Sequence, residues 1–123
     1  MRFLETRTHG YLDYLTGVLL IVLPFIADWD INSAKSLVPI ILGAMTIIMS
    51  LMTAYELGLT NVISMQVHLM MDLMSGILLA ASPWLFGFAD EVYLPHLLVG
   101  LFEVVASLVT KTKPQVNLTP QHK

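Results

Sequence analysis

Four stretches of mostly apolar residues recur along the chain, at roughly 8–27, 36–55, 66–86 and 93–110. A membrane-crossing helix needs about twenty such residues. Each stretch therefore predicts a transmembrane helix, and the chain as a whole an all-α membrane protein with one four-helix domain over residues 1–110. Short polar segments separate the stretches: Asp28 to Lys35, Glu56 to Gln66, and Ala89 to Val92. From Lys111 the sequence turns to Pro, Lys, Gln and Asn, which predicts a polar, disordered cytoplasmic tail over 111–123.

Composition supports the assignment. Apolar residues make up 56% of the 123 positions and charged residues 12%, far below the roughly one quarter usual in soluble domains. A domain this small cannot hide so much apolar surface inside itself, so the excess must face lipid. Arg2, Arg7, Lys111, Lys113 and Lys123 lie at the termini, and only Lys35 lies in a connection expected on the other side. By the positive-inside rule both termini are cytoplasmic, in a multi-pass cell-membrane protein. Trp29, Trp84, Phe86, Phe88 and Tyr93 then gather at the outer boundary. The first thirty residues have a signal-peptide look, but the same pattern recurs at 68–90, so both copies read as structural.

That recurrence is an internal repeat. At a shift of 59, His9-x3-Asp13-x3-Gly17 falls on His68-x3-Asp72-x3-Gly76, and Pro24-Phe25 on Pro83-Trp84. At a shift of 57, Gly43, Ser50, Leu51 and Thr53 fall on Gly100, Ser107, Leu108 and Thr110. Repeat 1 covers about 8–55 and repeat 2 about 66–110. Two helix pairs that enter and leave on one side are parallel copies, expected to relate by a pseudo-two-fold axis along the membrane normal.

The polar residues of the spans lie on stripes. Spacing of i, i+4 puts His9 with Asp13, and His68 with Asp72, on single helix faces. Gly17 and Gly76 continue those faces. On the second helix of each pair run Gly43, Thr46, Ser50 and Thr53, and His96, Gly100, Glu103, Ser107 and Thr110. Small residues there let membrane helices pack closely, with Gly17, Gly43, Gly76 and Gly100 as the points of approach. The expected interior polar cluster comprises His9, Asp13, His68, Asp72, Glu103, Ser50, Thr53, Ser107 and Thr110. His96, near the outer end of its helix, reads as a wet interfacial residue. Pro24 and Pro83 read as kinks or stops.

Ser82-Pro83-Trp84, in the first helix of the second pair, resembles the signature of the SPW-repeat family of small membrane proteins. The first pair carries Leu23-Pro24-Phe25 instead. The resemblance implies membrane residence and two-helix units, and no biochemical activity comes with it.

Several functions are excluded. Cysteine is absent, which removes thiolate chemistry, iron–sulfur clusters and cysteine zinc sites. A net charge of −3 without a basic stripe argues against nucleic acid. No nucleophile elbow, phosphate loop or HExxH is present, which points away from an enzyme. The expected partner is the lipid bilayer, with a homo-oligomer or a larger membrane complex beyond it. The main expectation is a structural or assembly role with no cofactor. The alternative uses His9, Asp13, His68 and Asp72 as metal ligands, or those residues with Glu103 as a path for protons or small solutes. A haem between His9 and His68, or copper on Met45, Met49, Met52, Met70, Met71 and Met74, is a further variant.

Overall fold

Two of the four helices are closed by proline and two are opened out by threonine. In the computed structural model, which describes residues 1–115, they are α1 (Thr6–Ile26), α2 (Ala34–Met52), α3 (Met65–Leu85) and α4 (Leu94–Val109). The polar tail expected from Lys111 lies, from residue 116 onward, outside the described residues. Pro24 and Pro83 each sit in the last turn of α1 and α3. Their carbonyls accept from Trp29 N–H at 2.9 Å and Phe88 N–H at 2.8 Å, which turns the chain toward the next helix. Thr53 and Thr110 end α2 and α4 in extended backbone.

The helices α1, α2 and α3 are 21, 19 and 21 residues long and apolar enough to cross a membrane. Helix α4 has 16 residues, or about 24 Å at 1.5 Å per residue, short of the roughly 30 Å hydrocarbon core. It starts later than the apolar run because Pro95 sits in its first turn and Tyr93 is non-helical. Likewise α2 stops at Met52, not at residue 55, because Thr53 leaves the helix to pair with Ile63. Leu15, Val18, Met74, Ile77, Leu98 and Val105 stand exposed on the outer faces, as lipid-facing residues do. The chain is thus an all-α bundle and a multi-pass helical membrane protein.

Glycine sets the distance within each helix pair. A Cβ on Gly43 would lie 2.6 Å from the Gly17 carbonyl oxygen, and one on Gly100 would lie 2.6 Å from that of Gly76. Backbones this close gain dispersion contacts that lipid tails would otherwise supply. Beyond the glycines, Leu20, Leu42 and Leu79 form a buried apolar cluster, with Val38 and Val99 against it.

The end of the bundle that carries the N-terminus is closed by two short bridges. Leu4 pairs with Thr110, and Ile63 with Thr53. Leu4 and Ile63 are 59 apart, and Thr53 and Thr110 are 57 apart, so the bridges join equivalent positions of the sequence repeat. In each, the segment leading into one helix meets the end of another and satisfies the carbonyls a helix C-terminus leaves open. Examples are Leu4 N–H to Val109 O at 2.9 Å and Ile63 N–H to Met52 O at 2.9 Å. Glu56 closes the same end, accepting from Thr6 Oγ1 at 2.7 Å and Gln115 N–H at 2.8 Å. Burial alone would raise its pKa, but these two donors hold the carboxyl below its usual range.

Gly76→Leu should destabilise the bundle, because the added Cβ would lie 2.8 Å from the Gly100 carbonyl and 3.0 Å from Glu103 Cβ. Overpacking of this kind costs about 1–3 kcal/mol. Thermal unfolding in detergent measures the loss. An unchanged midpoint would contradict the assignment of this face.

Candidate functional site: a buried ring of two histidines and two aspartates

His9 and His68 are each the fourth residue of their helix, and Asp13 and Asp72 the eighth. One turn separates the two side chains of a pair, so both project from one face. All four are buried, at 1%, 5%, 0% and 2% exposure for His9, Asp13, His68 and Asp72. Their ligand atoms lie within 4.8 Å of one another.

The shortest contacts cross between the helix pairs. His9 Nε2 lies 2.8 Å from Asp72 Oδ2, and His68 Nε2 lies 2.6 Å from Asp13 Oδ2. Within the pairs the separations are longer, 3.2 Å from His9 to Asp13 and 3.1 Å from His68 to Asp72. The four atoms thus form a closed ring in which nitrogen and oxygen alternate.

Two threonines orient the imidazoles. His9 Nδ1 lies 2.7 Å from Thr110 Oγ1, and His68 Nδ1 lies 2.8 Å from Thr53 Oγ1. Each threonine hydroxyl already donates to a backbone carbonyl one turn back, Thr53 to Met49 and Thr110 to Ala106. A hydroxyl has one proton, so here it can only accept, and each Nδ1 must carry the hydrogen. Both Nε2 atoms therefore turn toward the carboxylates. They do so either as lone pairs or, if a second proton is bound, as N–H donors. Without that proton, two lone pairs and two carboxylate oxygens face one another.

The remaining polar residues of the expected cluster fall into three groups. Thr53 and Thr110 join the ring as described. Ser107 Oγ donates instead to Val104 O at 2.8 Å, and Ser50 Oγ, though buried, has no hydrogen-bond partner among the described residues. Glu103 is buried on α4 with its Cβ against Gly76, one turn beyond Asp72. No hydrogen bond to its carboxyl occurs among the described residues.

His96 is not the wet interfacial residue expected from its position. It is 1% exposed, stacked on Trp29 at 5.6 Å and close to Phe88 at 4.9 Å, with Nε2 donating to Lys35 O at 2.9 Å. The aromatic loop residues Trp29 and Phe88 fold over it and exclude water. Ser82 and Pro83 are buried, and Ser82 Oγ donates to Leu79 O, whereas Trp84 is exposed beside Tyr93. These contacts place the tripeptide in helix packing, away from the ring.

Sequence reasoning did not single out Tyr55. Its buried ring tilts against His68 at 5.6 Å and covers Gly10, where a Cβ would lie 2.7 Å from Tyr55 Cε2. With Met65, Leu69 and Leu57 it caps the ring toward the N-terminal end of the bundle. No repeat signal marks it, because Thr112 stands at the matching position of the second copy.

The donor set discriminates among the ions and cofactors considered. Bonds of about 2.0–2.2 Å put donors at right angles about 2.8–3.1 Å apart, and tetrahedral donors about 3.3–3.6 Å apart. The ring edges of 2.6–3.2 Å straddle the first arrangement, and the second requires every edge to lengthen. Two nitrogens and two oxygens suit first-row divalent cations. A haem does not fit, because the Asp13 and Asp72 oxygens occupy the gap between the imidazoles. The methionines lie elsewhere: Met45, Met49, Met52 and Met71 line an outer groove of about 230 Å³ with Ile48 and Ile63.

A buried His/Asp tetrad inside a multi-pass helical membrane protein is the class of site seen here. The SPW repeat domain model matches residues 7–110, and the chain belongs to that family. No curated protein and no solved structure matches the chain.

Proposed function

We propose that the protein is a divalent-cation-binding membrane protein whose site is the His9–Asp13–His68–Asp72 ring. The observation that carries this reading is the proton accounting at the imidazoles. Thr53 and Thr110 commit both Nδ1 atoms to N–H, which leaves both Nε2 atoms to face the two carboxylates. Hydrogen bonds to an outer partner are how metal-ligating histidines are normally fixed in one tautomer. A divalent cation would also balance the two carboxylate charges, which a low-dielectric interior requires. Zinc, cobalt or manganese satisfies this chemistry.

A second reading has its own support. The ring edges are also hydrogen-bond lengths, so two protons on the Nε2 atoms would neutralise the ring equally well. The ring would then be a structural lock between helix pairs, in keeping with an assembly role and no enzymatic activity. A through-path for protons or solutes has less support. The Leu20–Leu42–Leu79 cluster closes the bundle about 10 Å beyond the aspartates, seven residues along α1 and α3.

Around this site we infer a four-span bundle of two parallel repeats with both termini cytoplasmic. The equivalent bridges of Leu4 with Thr110 and Ile63 with Thr53 support the pseudo-two-fold relation. The five terminal basic residues support the orientation. Reporter fusions after Asn32 and after Gln115 should then report opposite sides of the membrane. The same side for both, or an external Gln115, would refute the arrangement.

Elemental analysis of purified protein, followed by zinc titration of the stripped form, tests the function. One ion per chain is expected, with Asp72→Asn losing most of it while remaining folded. Binding should weaken on acidification, because the ion must displace protons from Nε2. If wild type binds no ion and Asp72→Asn loses only stability, the structural lock is the correct reading.

A further inference from the structure

The repeat makes the two helix pairs comparable position by position, and one comparison shows a gap. In the first pair the ring of Tyr55 lies across Gly10 and Leu57 packs beside it. In the second pair Thr112 stands in place of Tyr55, Leu69 in place of Gly10 and Pro114 in place of Leu57. The short threonine cannot do what the tyrosine does. A groove of about 180 Å³ lies there between the start of α3 and the end of α4.

The groove is amphipathic along its length. Leu69, Met70, Leu73 and Leu108 form its walls, and Met70 and Leu108 are exposed on the bilayer-facing surface. At its polar end stand Arg2, Gln66 and Thr112. Arg2 Nη1 donates to Ser107 O at 2.9 Å and Thr110 O at 2.7 Å, which fixes the guanidinium at the end of α4. Its Nε and Nη2 hydrogens meet no acceptor among the described residues. Lys113 lines an adjoining cavity that shares Gln66 and Thr112. Among the described residues no acidic side chain lines either cavity.

We propose that this groove binds one anionic phospholipid. Its phosphate accepts from Arg2, with Gln66 and Thr112 as further donors, and one acyl chain lies along Leu69, Leu73 and Leu108. Three features select a lipid over other occupants. The polar end carries only positive and neutral donors. The walls are apolar. The groove opens to the surface that faces hydrocarbon, where guanidinium–phosphate pairing is strong and directional.

The test is lipid retention by native mass spectrometry of the full chain, exchanged into mixed phosphatidylglycerol and phosphatidylcholine. One phosphatidylglycerol per chain should persist, favoured by about tenfold over phosphatidylcholine, whose phosphate can accept the same bonds but whose choline cation would stand against Arg2 and Lys113. Arg2→Gln should bring the preference to parity. Because Arg2 also caps α4, Leu108→Trp serves as a second variant: it fills the groove, keeps every charge, and should displace the lipid. Equal retention of the two lipids overturns the proposal. So does selective retention that survives both variants, or displacement of the bound lipid by millimolar inorganic phosphate, which would make the site one for a free anion.

Discussion

The interaction on which the rest of the structure depends is the exchange of aspartates between the two helix pairs. Each histidine lies closer to the aspartate of the other pair than to its own, at 2.8 and 2.6 Å, and rests on a threonine that also belongs to the other pair. Direct packing divides differently: α1 lies on α2 and α3 on α4, with glycines at each contact. Close backbone contact at glycine therefore builds the pairs, and polar contact joins them together with the Leu20–Leu42–Leu79 cluster. In lipid this division has a physical reason, since apolar surfaces gain little by leaving hydrocarbon for protein, whereas unpaired polar groups lose heavily.

The ring is tolerable in the bundle only when its charges balance. Two carboxylates alone would be costly, and either two protons or one divalent cation removes the imbalance. The threonines matter for this choice because they fix which nitrogen faces inward, and hence what can fill the centre. Tyr55 on one side and the leucine cluster on the other keep the ring from water. Glu103, buried next to it with no bonded partner among the described residues, adds a third carboxyl to the same region of the bundle.

Much of this was legible in the sequence because repetition removes ambiguity. A single His-x3-Asp on an apolar helix is weak, but its recurrence at a shift of 59 set both pairs at one depth, and the glycine stripes marked the contact faces. What stayed hidden depends on contacts far apart in the chain. The cross-pairing of His9 with Asp72, in preference to Asp13 one turn away, follows from how the helix pairs meet. His96 was misplaced because its burial comes from Trp29 and Phe88 in two loops, which helical periodicity does not describe. Ser50 and Ser107 share the threonines' stripe but lie three residues earlier, turned from the ring. The short α4 reflects Pro95 and the extended Thr110, which trim an apolar run that is long enough on composition alone.

The most direct test of the account is X-ray absorption at the zinc edge of the zinc-loaded protein in detergent. The ring predicts a shell of nitrogen and oxygen at about 2.0–2.2 Å with outer scattering from two imidazoles. Absence of tightly held zinc, or a shell dominated by methionine sulfur, would contradict it.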